Sequence, residues 1–448
     1  MKTYDTVVIG AGPGGYEAAI NLANAGVKTL LIEKSKERLG GTCLNEGCAP
    51  AKNYIESAGC ALRVPHFREN GLDLAFSGLD LGKLRERTFD LVGELRSGVS
   101  WLLDQAGAEL LYGTARFLDA QHIEVEGETI GFEKCIIATG SQLRQVAQLP
   151  IDGERIISSR EVFELTELPA SLAIVGGGPI GCEFASFFAA FGVEVTLISR
   201  GPRLLSSEDE ELSKALLRAF KKRNIRVITA STVERADVGG ESVTLTLEGG
   251  SLETIVCETV LCAAGRTPRT GELSLEKAGV KLSPKGFVEV NAAFQSSRPH
   301  IYALGDCIDT PAYAHTAYAE ARIAAENISG GKALANTALS PSAIFTHPAV
   351  ASCGLKESEA RAKGVAVEVK KAYFKANARA KILGDDAGFA KIIVSAESGV
   401  ILGASVIGAE ATEIIHELLL AVEQRLTADE LKRMIHAHPT VSEIITHL

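Results

Sequence analysis

The chain reads as an α/β protein with two dinucleotide-binding units and a C-terminal α+β domain. Three observations predict this. A short apolar run, Thr6–Ile9, feeds Gly10-Ala11-Gly12-Pro13-Gly14-Gly15 and then an alanine-rich helical stretch, Tyr16–Asn24. The same order returns at Leu172–Val175, Gly176-Gly177-Gly178-Pro179-Ile180-Gly181 and Cys182–Phe191. Two such strand–glycine turn–helix patterns are the mark of two Rossmann-like domains. From about Leu339 the pattern changes to strand-like stretches near Ile344, Tyr373, Ile392 and Leu402, followed by helical patterns at Thr412–Gln424 and Ala428–His436. That mixture predicts a separate α+β domain.

In the first unit, Gly10 permits a tight turn, Gly12 lets the backbone approach a pyrophosphate, and Gly15 allows the helix to lie close on the strand. The diphosphate then meets a helix N-terminus, where free N–H groups and the helix dipole favour an anion. The strand Val27–Glu33 ends in an acid placed to accept hydrogen bonds from a ribose. Leu84–Ala106 has the apolar spacing of a long helix, and Ile136-Ile137-Ala138-Thr139-Gly140 looks like a buried strand ending at a small-residue turn.

The second unit departs from the first at one point. Glu33 lies 23 residues after Gly10, and the residue 23 after Gly176 is Ser199, followed by Arg200. The ribose-reading acid is absent there, and serine with arginine can tolerate or bind a 2′-phosphate. Gly181 is glycine, not the alanine common in phosphate-preferring sites. NAD and NADP both stay open. Val227–Leu261 alternates apolar and polar residues and is broken by Gly239-Gly240 and Gly249-Gly250, which predicts antiparallel hairpins. Ala264-Gly265-Arg266-Thr267-Pro268 closes this unit, and Ile301-Tyr302-Ala303-Leu304-Gly305-Asp306 is a further strand ending in Gly-Asp. No low-complexity linker separates these parts, so tightly packed domains are expected.

Bulk properties exclude several classes. The chain has 448 residues, 46% hydrophobic and 23% charged, which predicts several globular domains. A formal net charge of −10 without a long basic run argues against a nucleic-acid partner. No apolar run reaches the roughly 18 residues of a membrane span. The start, Met-Lys-Thr-Tyr-Asp, lacks the order of a secretory leader, so a cytoplasmic location is expected. Nine cysteines show no framework spacing. In a reducing compartment a close pair points to catalysis or metal binding instead of structure.

That pair is Cys43 and Cys48, in Gly40-Gly41-Thr42-Cys43-Leu44-Asn45-Glu46-Gly47-Cys48-Ala49-Pro50-Ala51-Lys52. The spacing is not Cys-x2-Cys and no second ligand pair is near, so no metal site is expected. A helix starting after Gly40-Gly41-Thr42 brings the thiols within about one and a half turns, close enough for a disulfide. A helix N-terminus also favours the thiolate. Beside a dinucleotide motif, a dithiol implies electron traffic between sulfur and a flavin or nicotinamide. Lys52, four residues on, suits the negative charge of a reduced flavin, and Glu183 in the second helix is a candidate partner for it. At the C-terminus, His436-Ala437-His438-Pro439-Thr440-Val441-Ser442-Glu443 offers His438 as a proton shuttle and Glu443 as its orienting carboxylate. His315, His347 and His416 have no such context and read as structural.

Together these residues resemble the flavoprotein disulfide reductases, a class of pyridine nucleotide-disulfide oxidoreductases, over essentially the full length. The carriers are Gly10–Gly15 with Glu33, Gly41-Thr42-Cys43 and Cys48 with Pro50 and Lys52, Ala138-Thr139-Gly140, Gly176–Glu183, Gly265-Arg266, Gly305-Asp306 with Ala314-His315, and His436–Glu443. The resemblance implies an FAD-binding domain (1–145 and 265–336), an NAD(P)-binding domain (146–264) and a C-terminal dimerisation domain (337–448). It implies FAD contacts at Gly10, Gly12, Gly15, Glu33, Thr42, Lys52, Ala115, Thr139, Gly140, Asp306 and Ala314. Nicotinamide-nucleotide contacts follow at Gly176, Gly178, Ile180, Gly181, Ser199, Arg200, Val233 and Gly265. The implied catalytic set is Cys43, Cys48, Lys52, Glu183, His438 and Glu443, the last pair reaching the active site of the other subunit of a homodimer.

The implied reaction is oxidation of protein-bound dihydrolipoamide. Substrate thiolate attacks Cys43, His438 takes the proton with Glu443 behind it, Cys48 hands electrons to the flavin, and hydride passes to NAD(P)+. Glu46, Ala49 and Ala51 depart from the branch's usual residues around the thiols, which points to a specialised lipoyl-bearing protein or a small disulfide. NADPH-dependent reduction of another disulfide, such as glutathione disulfide, is the main alternative. The tail Ser442–Leu448 holds no cysteine, against mercuric and large thioredoxin reductases. A non-catalytic flavoprotein subunit has no chemical need for the full catalytic set. It is distinguished by colour, since an active member is yellow and gains long-wavelength absorbance on dithiol reduction.

Overall fold

A computed structural model describes residues 1–250, 253–334 and 336–448. They form two compact units: residues 1–51, 86–144 and 265–337, and residues 52–85, 145–264 and 338–448.

The first unit is built on one large sheet, with a separate two-stranded ribbon, Ser141–Leu143 and Arg266–Pro268. Strands Glu109–Tyr112, Thr29–Glu33, Lys2–Ile9 and Glu128–Ile137 lie side by side in parallel, and Ile301–Ala303 adds in parallel to the end of Glu128–Ile137. The start of that last strand pairs instead with an antiparallel ribbon, His122–Val125 and Ala115–Phe117. Lys2–Ile9 is central and its inner residues Val7 and Val8 are fully buried, as a parallel strand covered on both faces requires. Helices Pro13–Asn24 and Ala314–Ile328 pack on the sheet through Ala18, Leu22, Ala321 and Ala324. Helix Leu81–Ala106 buries Val92, Val99 and Leu103 in the same core.

The second unit holds three sheets. Arg226–Ile228, Glu194–Ile198, Ser171–Val175, Thr259–Cys262 and Ile156–Ser158 form a wholly parallel sheet. The predicted hairpins are a three-stranded antiparallel sheet, Ser231–Gly239, Ser242–Gly249 and Thr254–Cys257. The C-terminal sheet is antiparallel throughout, in the order Ser342–Ile344, Val350–Gly354, Ile401–Ile407, Phe389–Ser395, Val367–Tyr373, with helix Ala411–Glu423 on it. Ile415, Leu418 and Ala421 bury that helix against Ala404 and Val406.

Two sequence readings change. The dithiol segment is two helices, Gly41–Glu46 and Cys48–Glu69, broken at Gly47. A Cβ on Gly47 would lie 2.8 Å from the Thr42 carbonyl oxygen, so the turn folds back onto its own start. The last α-helix is Ala428–Lys432, shorter than the expected Ala428–His436, and a 3-10 helix, Val441–His447, follows it. Met434 and Ile435 are exposed, and leaving the helix at Arg433 lets His436 Nε2 reach Glu417 Oε1 at 2.8 Å.

His347 is structural, as its context suggested. Its ring nitrogen Nε2 bonds the Ile55 carbonyl at 3.2 Å, its backbone N–H donates to Ser186 Oγ, and Gly59 leaves room for the ring. Burial holds the imidazole pKa below its ordinary value. Below that ordinary value the unfolded chain binds a proton that folded His347 does not, so stability is full above it and falls as pH drops through it. His347→Gln keeps a donor for Ile55. Thermal melts between about pH 7 and about pH 5 should fall less steeply in this variant than in the parent. Parallel curves would remove His347 as a source of the pH dependence.

Candidate active site

The first glycine turn depends on absent side chains. A Cβ on Gly15 would lie 1.8 Å from the Gly10 carbonyl oxygen, and Gly10 itself holds φ +101 with Ala138 O 2.4 Å from its missing Cβ. The helix therefore starts directly on the strand end. Its N-cap, Gly12, supplies no side-chain cap and Pro13 occupies the first turn. No capping side chain occupies the helix's first backbone donors, which suits a phosphate. Glu33, at the end of the neighbouring strand, accepts from Ala11 N at 2.8 Å and Lys34 N at 2.7 Å. Burial raises its pKa, and these two bonds oppose the rise.

The dithiol helix begins against this turn. Gly40 N donates to Ala11 O at 2.9 Å, and a Cβ on Gly41 would lie 2.5 Å from Gly12 Cα. Two helix N-termini thus converge, one bearing Thr42 and Cys43. Cys43 is half-buried and Cys48 exposed. Asn45 fastens the helix through bonds to Leu39 O and Gly41 O, and accepts from Arg96 at 2.7 Å. Glu46 meets Arg38 at 3.4 Å.

Asp306 sits in a short turn after Ile301–Ala303, and Ser141 Oγ donates to it at 2.6 Å. Arg266 Nε donates to the same Ser141 Oγ at 2.7 Å and its other nitrogen to Ser141 O at 3.0 Å. Burial depresses the guanidinium pKa, while the charges of Asp306, Glu46 and Cys48 oppose that. Buried Glu320 fixes the turn by accepting from Gly305 N and Thr310 Oγ1, both at 2.6 Å. Thr139 Oγ1 donates to Arg269 O at 2.6 Å, and Gly140 holds φ +67 with its carbonyl on Arg269 N. Tyr16 and Tyr318 share a short hydroxyl–hydroxyl bond. Burial, then that bond, raises the Tyr16 pKa, and a Cys43 thiolate raises both phenols further. Ala115 is buried in the core, and Ala314 opens a helix whose N-cap, Tyr313, supplies no side-chain bond.

In the second unit a Cβ on Gly181 would lie 1.9 Å from Gly176 O, the counterpart of Gly15 and Gly10. Gly178 caps the helix Pro179–Ala190 without a side-chain bond, and nothing lies within 4 Å of its missing Cβ. Ile180 follows in the first turn. Ser199 is 4% exposed, and its Oγ would lie 2.5 Å from a Cβ on Gly177. It stands at the strand end as Glu33 does in the first unit, while Arg200 is exposed. Val233 is buried in the hairpin core. Gly265, in the first unit, holds φ +106 and its carbonyl accepts from Arg144 N.

Lys52 and Glu183, 131 positions apart, meet in the second unit. Lys52 Nζ lies 2.9 Å from both carboxylate oxygens. Phe345 N also donates to Glu183, and the ammonium sits 4.7 Å from the Phe345 ring centroid. The pair is thereby fixed in direction as well as in charge. His438 Nδ1 lies 2.8 Å from Glu443 Oε1, and the other oxygen accepts from Thr440 N at 2.7 Å. The Thr440 N–H, then His438, holds the Glu443 carboxyl below the ordinary range. The His438 side chain is 73% exposed, open to a reactant or another chain. Sequence reasoning gave no role to Ser141, Arg266, Phe345 or the tyrosine pair. Only Arg266, beside Gly265 at a strand end, carried a local signal.

Residues 4–321 match the family described as pyridine nucleotide-disulphide oxidoreductase, and residues 340–448 match that family's dimerisation domain. A dihydrolipoyl dehydrogenase of Thermus scotoductus is 41% identical over 447 residues, covering 99% of this chain and 96% of that protein. Crystal structure of LpdA from Mycobacterium tuberculosis matches with a TM-score of 0.91 at 27% identity, covering 100% of this chain and 98% of that one. The HOCl-induced flavoprotein disulfide reductase RclA of Escherichia coli matches with a TM-score of 0.89 at 28% identity, covering 99% of each chain. No helix of the described residues is long and apolar enough to cross a membrane.

The open space over Gly178 makes a clean test of the second turn. Gly178→Ala, which replaces one N-cap residue with a poorer one, should cost no more than about 1 kcal/mol of unfolding free energy. The same methyl should weaken ADP-ribose binding by about tenfold or more, read by calorimetry. Gly181→Ala, by contrast, should destabilise by about 1–3 kcal/mol. Undiminished binding by Gly178→Ala would mean that no phosphate approaches this turn.

Proposed function

The chain belongs to the pyridine nucleotide-disulphide oxidoreductases, and from that premise we propose that it oxidises protein-bound dihydrolipoamide with FAD and NAD(H). The observation that carries this reading is the start of the dithiol helix on the first glycine turn, through Gly40–Ala11 and Gly41–Gly12. A dithiol with no electron acceptor has no reason to sit on a diphosphate-binding turn.

The residues present fit both nucleotides. Gly10, Gly12 and Gly15 leave a backbone cradle for the FAD diphosphate, with Glu33 at the ribose end and Asp306 in the turn held by Ser141 and Glu320. Thr42, Thr139, Gly140, Ala115 and Ala314 line that side by resemblance. Gly176, Gly178 and Gly181 offer the equivalent cradle for the nicotinamide nucleotide, with Ile180 in the first turn of its helix and Ser199 and Arg200 at the end of the next strand; Val233 and Gly265 are assigned to that nucleotide by resemblance alone. Ser199 and Arg200 in place of an acid leave room for a 2′-phosphate, so separate titrations with NADH and NADPH decide the preference. Bound flavin supplies a two-electron relay between sulfur and nicotinamide.

The chain's own groups do the rest. A substrate thiolate attacks the Cys43 sulfur of a Cys43–Cys48 disulfide, and Cys48 leaves as thiolate. The second substrate sulfur displaces Cys43, the substrate closes to its disulfide, and the protein keeps the electron pair as a dithiol. His438, oriented through Nδ1 by Glu443, accepts the substrate proton at Nε2. Lys52, held by Glu183 and Phe345, provides a fixed positive charge. The dimerisation domain supports a homodimer in which the exposed His438 serves the other subunit's thiols. Buried thiols outside any disulfide, at Cys135, Cys182, Cys307 and Cys353, support work in a reducing, cytoplasmic compartment.

Two measurements test this. His438→Gln should lower kcat for dihydrolipoamide oxidation by about 10²–10⁴-fold. NADH oxidation by ferricyanide, which needs no thiol proton transfer, should change by less than about twofold. Equal losses in both assays would contradict the assigned role. In steady-state comparison, a lipoyl-bearing protein should be turned over faster than free lipoamide, and glutathione disulfide not at all. Fast glutathione disulfide reduction with NADPH would move the protein to the alternative reading, and equal rates with free lipoamide would remove the specialised partner suggested by Glu46, Ala49 and Ala51.

A further inference from the structure

A buried lysine with no part in this mechanism sits in the second compact unit. Lys391, on strand Phe389–Ser395, is 1% exposed. Its Nζ donates to Asp209 Oδ2 at 3.0 Å, Glu211 Oε2 at 2.9 Å and Glu357 Oε2 at 2.7 Å. Lys371 bonds the other oxygen of Glu211 at 2.5 Å, and Arg361 bonds Glu357 at 2.8 Å. Burial alone lowers the Lys391 pKa, but the bonds to Glu357, Glu211 and Asp209 outweigh it and the ammonium stays charged. Buried ion clusters add little net stability over a well-packed apolar core, so fixing geometry is the stronger reason to keep one.

The geometry in question is a loop. Asp209 also caps helix Glu210–Lys222 by accepting from Glu211 N at 2.9 Å. Its neighbour Glu208, 3% exposed, accepts from Ser352 Oγ at 2.5 Å. Two strands of the C-terminal sheet therefore grip residues 208 and 209. These residues end a loop that begins at Ser199, the ribose position. Within it, Arg203 bonds Glu208 O at 2.8 Å and Ser206 O at 2.9 Å. Leu205 is buried with φ +45, a backbone state disfavoured for leucine and held by its contacts. Its N–H donates to Gly177 O at 2.8 Å, inside the glycine turn. A continuous series of bonds thus runs from the C-terminal sheet, through the loop, to the backbone that meets the diphosphate.

We propose that Lys391 and Ser352 are positioning residues for the nicotinamide nucleotide, clamping the 199–209 loop so that the glycine turn and Ser199 stay set for the ADP-ribose half. This rests on reading Gly176–Gly181 as the nicotinamide-nucleotide turn. Nucleotide affinity is then set partly by the domain that also carries His438 and Glu443.

The test is calorimetry of the oxidised holoenzyme with ADP-ribose and with NAD+, neither of which reduces the bound flavin. Ser352→Ala removes one hydroxyl and should weaken ADP-ribose binding about three- to tenfold, and Lys391→Met about tenfold or more. Lys391→Arg, which keeps a cation, should recover most of the loss. In turnover, KM for NAD should rise by the same factors while kcat changes less than about twofold, a split that general destabilisation does not produce. Backbone amides of residues 201–208 should exchange faster in Ser352→Ala. Should Lys391→Met fail to fold, Ser352→Ala decides. Folded variants that bind ADP-ribose as tightly as the parent overturn the clamp. A parent protein that binds neither ligand overturns the nucleotide reading instead.

Discussion

The chemistry of this chain depends on two contacts that only glycine permits. At Gly15 over Gly10 and at Gly181 over Gly176, a helix begins so close to a strand that a methyl group would overlap a carbonyl oxygen. Each helix then presents backbone donors that no side chain caps. Such donors are a standing cost unless a ligand or water accepts from them, and a diphosphate is the natural acceptor. The third contact, Gly41 on Gly12, brings the dithiol helix to the first of these turns. Substituting alanine at Gly10, Gly15, Gly41, Gly176 or Gly181 displaces backbone, not a flexible side chain.

Around these turns the polar groups are held in short, fully specified sets. Glu33 spends one oxygen on each of two backbone N–H groups, and Ser141 links Asp306 to Arg266. Glu183 holds Lys52 and the Phe345 N–H together. Each set restricts one charged group to one direction, which is what electrostatic catalysis and anion binding require. The more heavily charged cluster at Lys391 follows the same logic within the second unit, where its product is the placement of a loop instead of a reacting atom.

Much of this was legible because its signals are local. A glycine turn, the apolar strand before it and the helix after it occupy about thirty residues and read the same way twice. The hairpins between Val227 and Leu261 announce themselves by alternation and paired glycines. What was not legible depends on partners far along the chain. Phe345 and Ser141 are ordinary residues until the fold places a carboxylate beside them. Strand Val350–Gly354 was missed because it is buried on both faces and shows no alternation. The dithiol segment read as one helix because Gly47 breaks it through a tertiary fold-back, and the last α-helix read too long because Met434 and Ile435 keep helical spacing while facing outward. Lys391 carries no local signal, since nothing nearby in sequence reveals the three carboxylates around it.

The central claim is that one protomer holds both a redox-active dithiol and a flavin that exchange electrons. Anaerobic titration of the purified protein with dithionite, followed through the flavin absorbance, tests it most directly. The account predicts uptake of two electron pairs per protomer in the parent and of only one in Cys48→Ser, with the same flavin content in both. Uptake of a single pair by the parent, unchanged by the substitution, would show that the thiols take no part in electron transfer and would contradict the account.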